Sequence, residues 1–304
     1  MSSVFPTRRF FVTAGLSATV LPGAGWPQAS TKDIEGGLGG TGIVGILLDT
    51  GELVLAGQTI ETDSDTQVST NLGPYTVQDL RPGDSLTVEA AQFADGRLLA
   101  RRIEVTYPLV GAISALSTDR NRCVVNGVDV VSDQPLATYE IGNRVAISGL
   151  WRGRSVFASR IISAPVPLDL ISGTTARGTV GGVKVRRSAV SLTAAGRFAT
   201  VLGRFDTDVD VLRAQSTTIG RFTGAAGALT ALAIEGWLEP QNAPPGYRIA
   251  GLGHSFERRL DLASFANSRM LFTGPYTGRF AADTAVRLPE DPTARKHLLR
   301  QIAL

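Results

Sequence analysis

The chain is predicted to be all-β, a tandem of about four small antiparallel barrels closed by a short C-terminal helix. Three observations predict it. Thirty-four glycines and fifteen prolines in 304 residues punctuate the chain too often for long helices, while a 43% hydrophobic fraction suffices for packed cores. Apolar residues alternate with polar ones in short runs, as half-buried strands require. A small-x-aromatic signature also recurs four times just ahead of a turn, at Ala91-Gln92-Phe93, Gly149-Leu150-Trp151, Gly203-Arg204-Phe205 and Gly274-Pro275-Tyr276.

Residues 1–29 have the three parts of an export signal: a basic start at Arg8 and Arg9, an apolar run from Phe10 to Leu21, and the small-residue end Pro27-Gln28-Ala29. Thr7-Arg8-Arg9-Phe10-Phe11 resembles a twin-arginine export signal, without the lysine usual after the phenylalanine. The resemblance implies passage through the twin-arginine export machinery and a periplasmic or secreted mature protein. No later segment approaches ~18 consecutive apolar residues, so no stable membrane insertion is expected after cleavage. Cleavage would remove two arginines and no acid, leaving 28 basic against 27 acidic residues. A nearly neutral mature chain disfavours nucleic acid as a partner.

Residues 30–41 read as a glycine-rich linker. Gly37-Leu38-Gly39-Gly40-Thr41-Gly42 has the lettering of a dinucleotide-binding loop, but that loop works only ahead of a helix, and a strand from Ile43 to Leu48 is expected here. The four barrel repeats are placed at 42–107, 109–164, 169–216 and 232–289. Each opens with a strand carrying a central glycine, Gly45, Gly111, Gly173 or Gly236, where a bend or close backbone approach is expected. A second alternating element follows, such as Cys123–Val130, and a hairpin closes each unit. Pro165-Val166-Pro167 and Ser216–Ala231 are the expected connections. In 290–304, Asp291 before Pro292 is a helix cap, and Leu298, Leu299 and Ile302 form a stripe expected to pack on the last barrel.

Five or so short strands closed by a hairpin describe a barrel of the oligonucleotide/oligosaccharide-binding (OB) type. The pattern in Gly111-Ala112-Ile113-Ser114, Val125–Val130, Ile141–Gly149 and Ala158–Ile161 resembles a bacterial family of exported proteins with tandem small β-barrel repeats, catalogued as a domain of unknown function. The resemblance implies a fold and an envelope setting, and brings no catalytic residue with it.

Chemistry is sparse. One cysteine, Cys123, and two histidines, His254 and His297, argue against an intramolecular disulfide, a metal centre or a bound cofactor. Cys123 is expected to be an inert buried thiol. Asp206, Asp208 and Asp210 lack the glycine and terminal glutamate of a calcium loop and read as a solvated hairpin. His254, Ser255 and Glu257 are the catalytic candidates, within an insertion of the fourth repeat that has no Gly-x-Ser-x-Gly elbow. Trp237, Tyr247 and His254 are the ligand-binding candidates, because these residues do not recur at matching positions. Tyr75 shares that property. The four recurring aromatics are assigned instead to packing. The function expected is a non-enzymatic binding or scaffold protein contacting an envelope protein or glycan. A hydrolase built on the His254 loop and a structural spacer in an envelope assembly are the alternatives.

Overall fold

The computed structural model describes residues 39–257 and 259–303. The export signal with Arg8 and Arg9, and the linker up to residue 38, lie outside the described residues. The first barrel contains β1 (Gly40–Asp49), β2 (Leu53–Leu55), β3 (Gln58–Glu61), β4 (Gln67–Thr70), β5 (Gly73–Pro74), β6 (Ser85–Gln92) and β7 (Leu98–Val105). The second has β8 (Leu109–Leu116), β9 (Arg122–Val125), β10 (Val128–Ser132), β11 (Arg144–Arg152) and β12 (Ser155–Ser163). The third has β13 (Asp169–Ala176), β14 (Thr179–Val180), β15 (Val183–Arg186), β16 (Phe198–Asp206) and β17 (Val211–Ile219). The fourth has β18 (Leu229–Pro240), β19 (Gly246–Ile249), β20 (His254–Glu257), β21 (Arg269–Pro275) and β22 (Thr284–Arg287), and α1 (Pro292–Ile302) ends the chain.

The first three barrels close in one order. The opening strand pairs with the second, the second with the third, and the third runs parallel to the last. The last pairs with the strand before it, which returns to the first. This is OB-like closure, with one parallel pairing in the second and third barrels and two in the first, where β4 also runs parallel to β7. In the fourth barrel β18 pairs with β19 and β21, β19 with β20 and β21 with β22, and no pairing of β20 with β22 is found among the described residues.

Local chemistry accounts for the strand breaks. Two-residue turns with both φ values positive join second to third strands at Ala56-Gly57, Asn126-Gly127 and Gly181-Gly182, the twist that a tight hairpin needs. At Gly149 and Gly203 the register shifts, the extra residue lying in the closing strand, Ser159 of β12 or Gln215 of β17. A Cβ at either position would lie 2.2 or 2.1 Å from the opposing carbonyl oxygen of Phe157 or Arg213, so the tight crossing excludes a side chain. The bulge of the first barrel lies at Glu89/Ala90, which makes Ala90 the counterpart of Gly149. Phe93 is therefore one residue out of register with Trp151, and a slip of one turns a side chain to the other face. Phe93 is accordingly half-exposed beneath the Arg97 guanidinium, whereas Trp151 is 3% exposed.

The barrels are merged in pairs. β1 runs parallel to β18, Gly40–Val44 against Leu229–Ile234, and β8 runs antiparallel to β13. The seam strands β1 and β13 are buried along most of their length, because both faces meet protein. Gly40 and Thr41, read as linker, belong to β1. A Cβ on Gly42 would stand 2.6 Å from Leu232 and 2.8 Å from Phe222, so glycine serves close packing here rather than flexibility. The stretch read as a linker from Ser216 is strand through Ile219, and strand resumes at Leu229.

Asp291 caps α1 as expected, its carboxylate accepting from the Ala294 N–H at 2.7 Å. The expected docking on the last barrel is only part of the contact. Leu299 is fully buried in a core that contains Leu271 and Leu288 of the last barrel together with Leu47, Leu53 and Leu55 of the first, Ile302 packs over Gly57, and Arg300 pairs with Asp49. The apolar stripe settles there because the pairing of β1 with β18 brings the first barrel beside the end of the chain.

Candidate functional site

The catalytic candidates on β20 do not converge. Alternation along the strand puts His254 and Phe256 on one face and Ser255 and Glu257 on the other. His254 faces Phe222, Tyr276 and Phe280, with ring centroids 6.0, 6.3 and 6.3 Å away. Its Nε2 is shut off from solvent and has no hydrogen-bond partner among the described residues. Burial, reinforced by the charge of Arg221, pushes its pKa down to about 3, so the ring is neutral. Glu257 pairs with Arg259 at 3.1 Å on the surface. A base without access to Ser255, and a carboxylate on the opposite face, make no nucleophile–base–orienter chain.

The ligand-binding candidates are core groups. Trp237 is 4% exposed, 5.0 Å from the Phe157 ring of the second barrel and 5.1 Å from the Arg269 guanidinium. Tyr247 is 3% exposed, its ring is 5.5 Å from Phe256, and its hydroxyl accepts from the Leu262 N–H. Trp237 is not repeated because it packs a junction with the second barrel, and Tyr247 because it packs against the segment that follows β20 in its own barrel. Tyr75 is half-buried and donates to the Asp79 carbonyl at 2.9 Å. Cys123 is buried, and desolvation pushes its thiol up to about 11. Asp206 takes a bidentate contact from Arg213 in the β16–β17 hairpin, and Asp208 donates its N–H back to Asp206.

Sequence reasoning missed the groups that join the barrels. Three carboxylates with no exposed surface, Asp84, Glu89 and Glu235, each reach a partner outside their own barrel. Asp84 accepts from Arg160 of the second barrel at 2.5 Å. Glu235 accepts from Arg269 at 2.7 Å and from the Ile46 N–H of the first barrel at 3.0 Å. Glu89 accepts the N–H groups of Thr223, Gly224 and Ala225 at 2.7, 2.7 and 2.9 Å, as well as the Thr223 hydroxyl. Arg221 enters beside it, donating to the Thr87 hydroxyl and standing 3.9 Å over Phe198. Its burial lowers its pKa to about 10. Trp151 donates from Nε1 to the Ser172 carbonyl at 2.8 Å and lies against Gly173, Gly181 and Gly251, so one indole is wedged among the second, third and fourth barrels. An acidic residue inside an alternating strand, where an apolar one is due, was the available signal at Glu89 and Glu235.

Where the first, second and fourth barrels meet α1, a cleft of about 220 Å³ remains open. Its lining combines apolar Ile46, Leu47 and Ala158 with the cations Arg269, Arg295 and Lys296 and the acid Asp133. Arg295 donates to the Pro289 and Glu290 carbonyls at 3.0 and 2.9 Å, and burial together with the Arg269 charge holds its pKa below the ordinary guanidinium value. Clefts at junctions between domains, with an apolar base and a few convergent polar groups, are where small ligands usually bind. A wider cleft of about 390 Å³ follows the β1–β18 seam, lined largely by neutral groups such as Thr41, Gln58, Gln92 and Thr273.

Residues 41–104, from the second residue of β1 to the penultimate residue of β7, match the family model described as Domain of unknown function (DUF5666). No curated protein matches the chain. No solved structure matches it either.

Proposed function

Taking the first barrel as a member of that family of domains of unknown function, we propose that the chain is a non-enzymatic binding or scaffold protein, exported to the periplasm or secreted, that contacts an envelope protein or glycan. The observation that carries this reading is the use made of buried charge. Asp84, Glu89 and Glu235 hold barrels and connections to one another, so costly desolvation serves a fixed arrangement of surfaces. His254, Ser255 and Glu257 add support, since they are divided between two faces of β20. The export signal read in residues 1–29 supports the envelope setting. The test is capture from intact cells: the full chain, tagged at its C-terminus, is cross-linked, fractionated and purified. Recovery from the envelope fraction with a reproducible protein or glycan partner is expected. Recovery from the cytoplasm alone, or as an uncross-linked monomer throughout, would overturn the proposal.

A further inference from the structure

We infer that the cleft between α1 and the first two barrels binds a small organic monocarboxylate with an apolar body. The inference rests on the binding reading above and gives it a ligand chemistry. Of the three cations at the cleft, Arg269 is already neutralised by Glu235 at 2.7 Å. Arg295 makes no ion pair among the described residues: the carbonyls of Pro289 and Glu290 accept its hydrogen bonds, and Glu235, Asp133 and Asp291 act on its charge only from beyond ion-pair distance. Lys296 stands next to it, half-buried, with no carboxylate within 4 Å of its ammonium among the described residues. Asp133, exposed, is the one carboxylate on the cleft lining. Neither Arg295 nor Lys296 is in an ion pair among the described residues, so both can turn to a single carboxylate in the cleft. A dianionic phosphate would bring a second charge beside apolar walls, where excess charge is poorly solvated.

The apolar lining favours an apolar body. Ile46, Leu47 and Ala158 are at most 6% exposed, and Phe157, Leu48 and Pro82 add to the lining. A chain of a few methylenes laid on these residues would place its carboxylate at Arg295 and Lys296. Desolvation and the nearby Arg269 disfavour charge on Arg295, Glu235, Asp133 and Asp291 offset this in part, and an incoming carboxylate would add to them.

The test titrates the purified chain with hexanoate, hexanol, hexylamine and inorganic phosphate, following the amide resonances of Gly83 and Ser159, which line the cleft. Hexanoate is expected to bind saturably, with a Kd on the order of 1 mM for so small a ligand. Lys296→Gln, on a side chain that makes no ion pair among the described residues, is expected to weaken it at least about tenfold, and Arg295→Gln likewise. No saturable binding, equal binding of hexanol, an unchanged Kd in Lys296→Gln, or tighter binding of phosphate would each overturn the assignment. Loss of hexanoate binding with envelope capture intact would remove this inference alone. Loss of capture with hexanoate binding intact would remove the envelope reading alone.

Discussion

Replacing Glu89 with glutamine keeps the shape of the side chain and removes the charge on which the connection before the fourth barrel is folded. In the native chain one carboxylate oxygen accepts from the Thr223 N–H and hydroxyl, and the other from the Gly224 and Ala225 N–H groups. A carboxamide can satisfy only one of these pairs. Its NH2 group must face the other two donors, and Arg102, 3.4 Å away, loses part of its counter-charge. Hydrogen bonds to a charged group contribute about 1.5–3 kcal/mol each, and breaking a buried charged cluster costs about 3–5 kcal/mol in total. Thr223, Gly224 and Ala225 have exposed surface and can turn to water, which places the expected loss near the lower end, about 3 kcal/mol. Urea denaturation gives the global value, and hydrogen exchange at the three amides gives the local one. Both should fall, with the amides of Thr223 to Ala225 losing protection first. A Glu89→Gln protein within about 1 kcal/mol of the parent, with these amides still protected, would refute the clamp.

Three further outcomes follow from particular contacts. Trp151→Ala should cost about 3–5 kcal/mol, and Gly251→Ala should also destabilise, since its Cβ would lie 2.2 Å from the indole at a φ of +67°. The double variant should recover part of the Gly251 cost in a denaturation cycle, and strict additivity would separate the two sites. His254 has a folded pKa of about 3 against 6.5 in an unfolded chain, so below pH 6.5 the unfolded state takes up a proton that the folded state refuses. Its contribution to stability is complete above pH 6.5 and falls as pH drops towards 3, by about 2 kcal/mol between pH 7 and 5. His254→Phe should flatten that part of the urea-midpoint profile, and an unchanged slope would contradict the burial of a neutral ring. Leu299→Ala should cost about 2–4 kcal/mol and loosen amides around Gly57 of the first barrel before those of β22, a pattern readable by hydrogen exchange.

Much of the architecture was legible because its signals are local. Period-two alternation marks strands, whereas Cys123–Val130, read as one alternating element, is two strands that turn back at Asn126-Gly127. Asp291 and Pro292 announced the helix by a local signal too. The candidate site was less legible. Trp237 and Tyr247 stood out by not repeating, but a residue packed against one particular segment is as unrepeated as one serving a ligand. His254, Ser255 and Glu257 lay close in sequence, and the pleat of β20 then divided them. Nothing in the lettering of Phe93 betrays that the register shift of its strand lies one residue farther from it than the shift in β11 lies from Trp151.

Sequence by itself therefore determined the all-β class, the repeated barrel, its hairpins and the capped helix, because each depends on backbone preferences and side-chain period within a few neighbouring residues. Only the tertiary structure decided which barrels merge, where α1 docks, and that Arg295, Lys296 and Asp133 line one cleft. The pairing of β1 with β18 uses backbone N–H and C=O groups that every strand edge offers alike, so it has no side-chain lettering of its own. Glu89 and Glu235 show the converse. Their charge is visible in the sequence, but the groups that make its burial tolerable come together only from segments more than a hundred residues away.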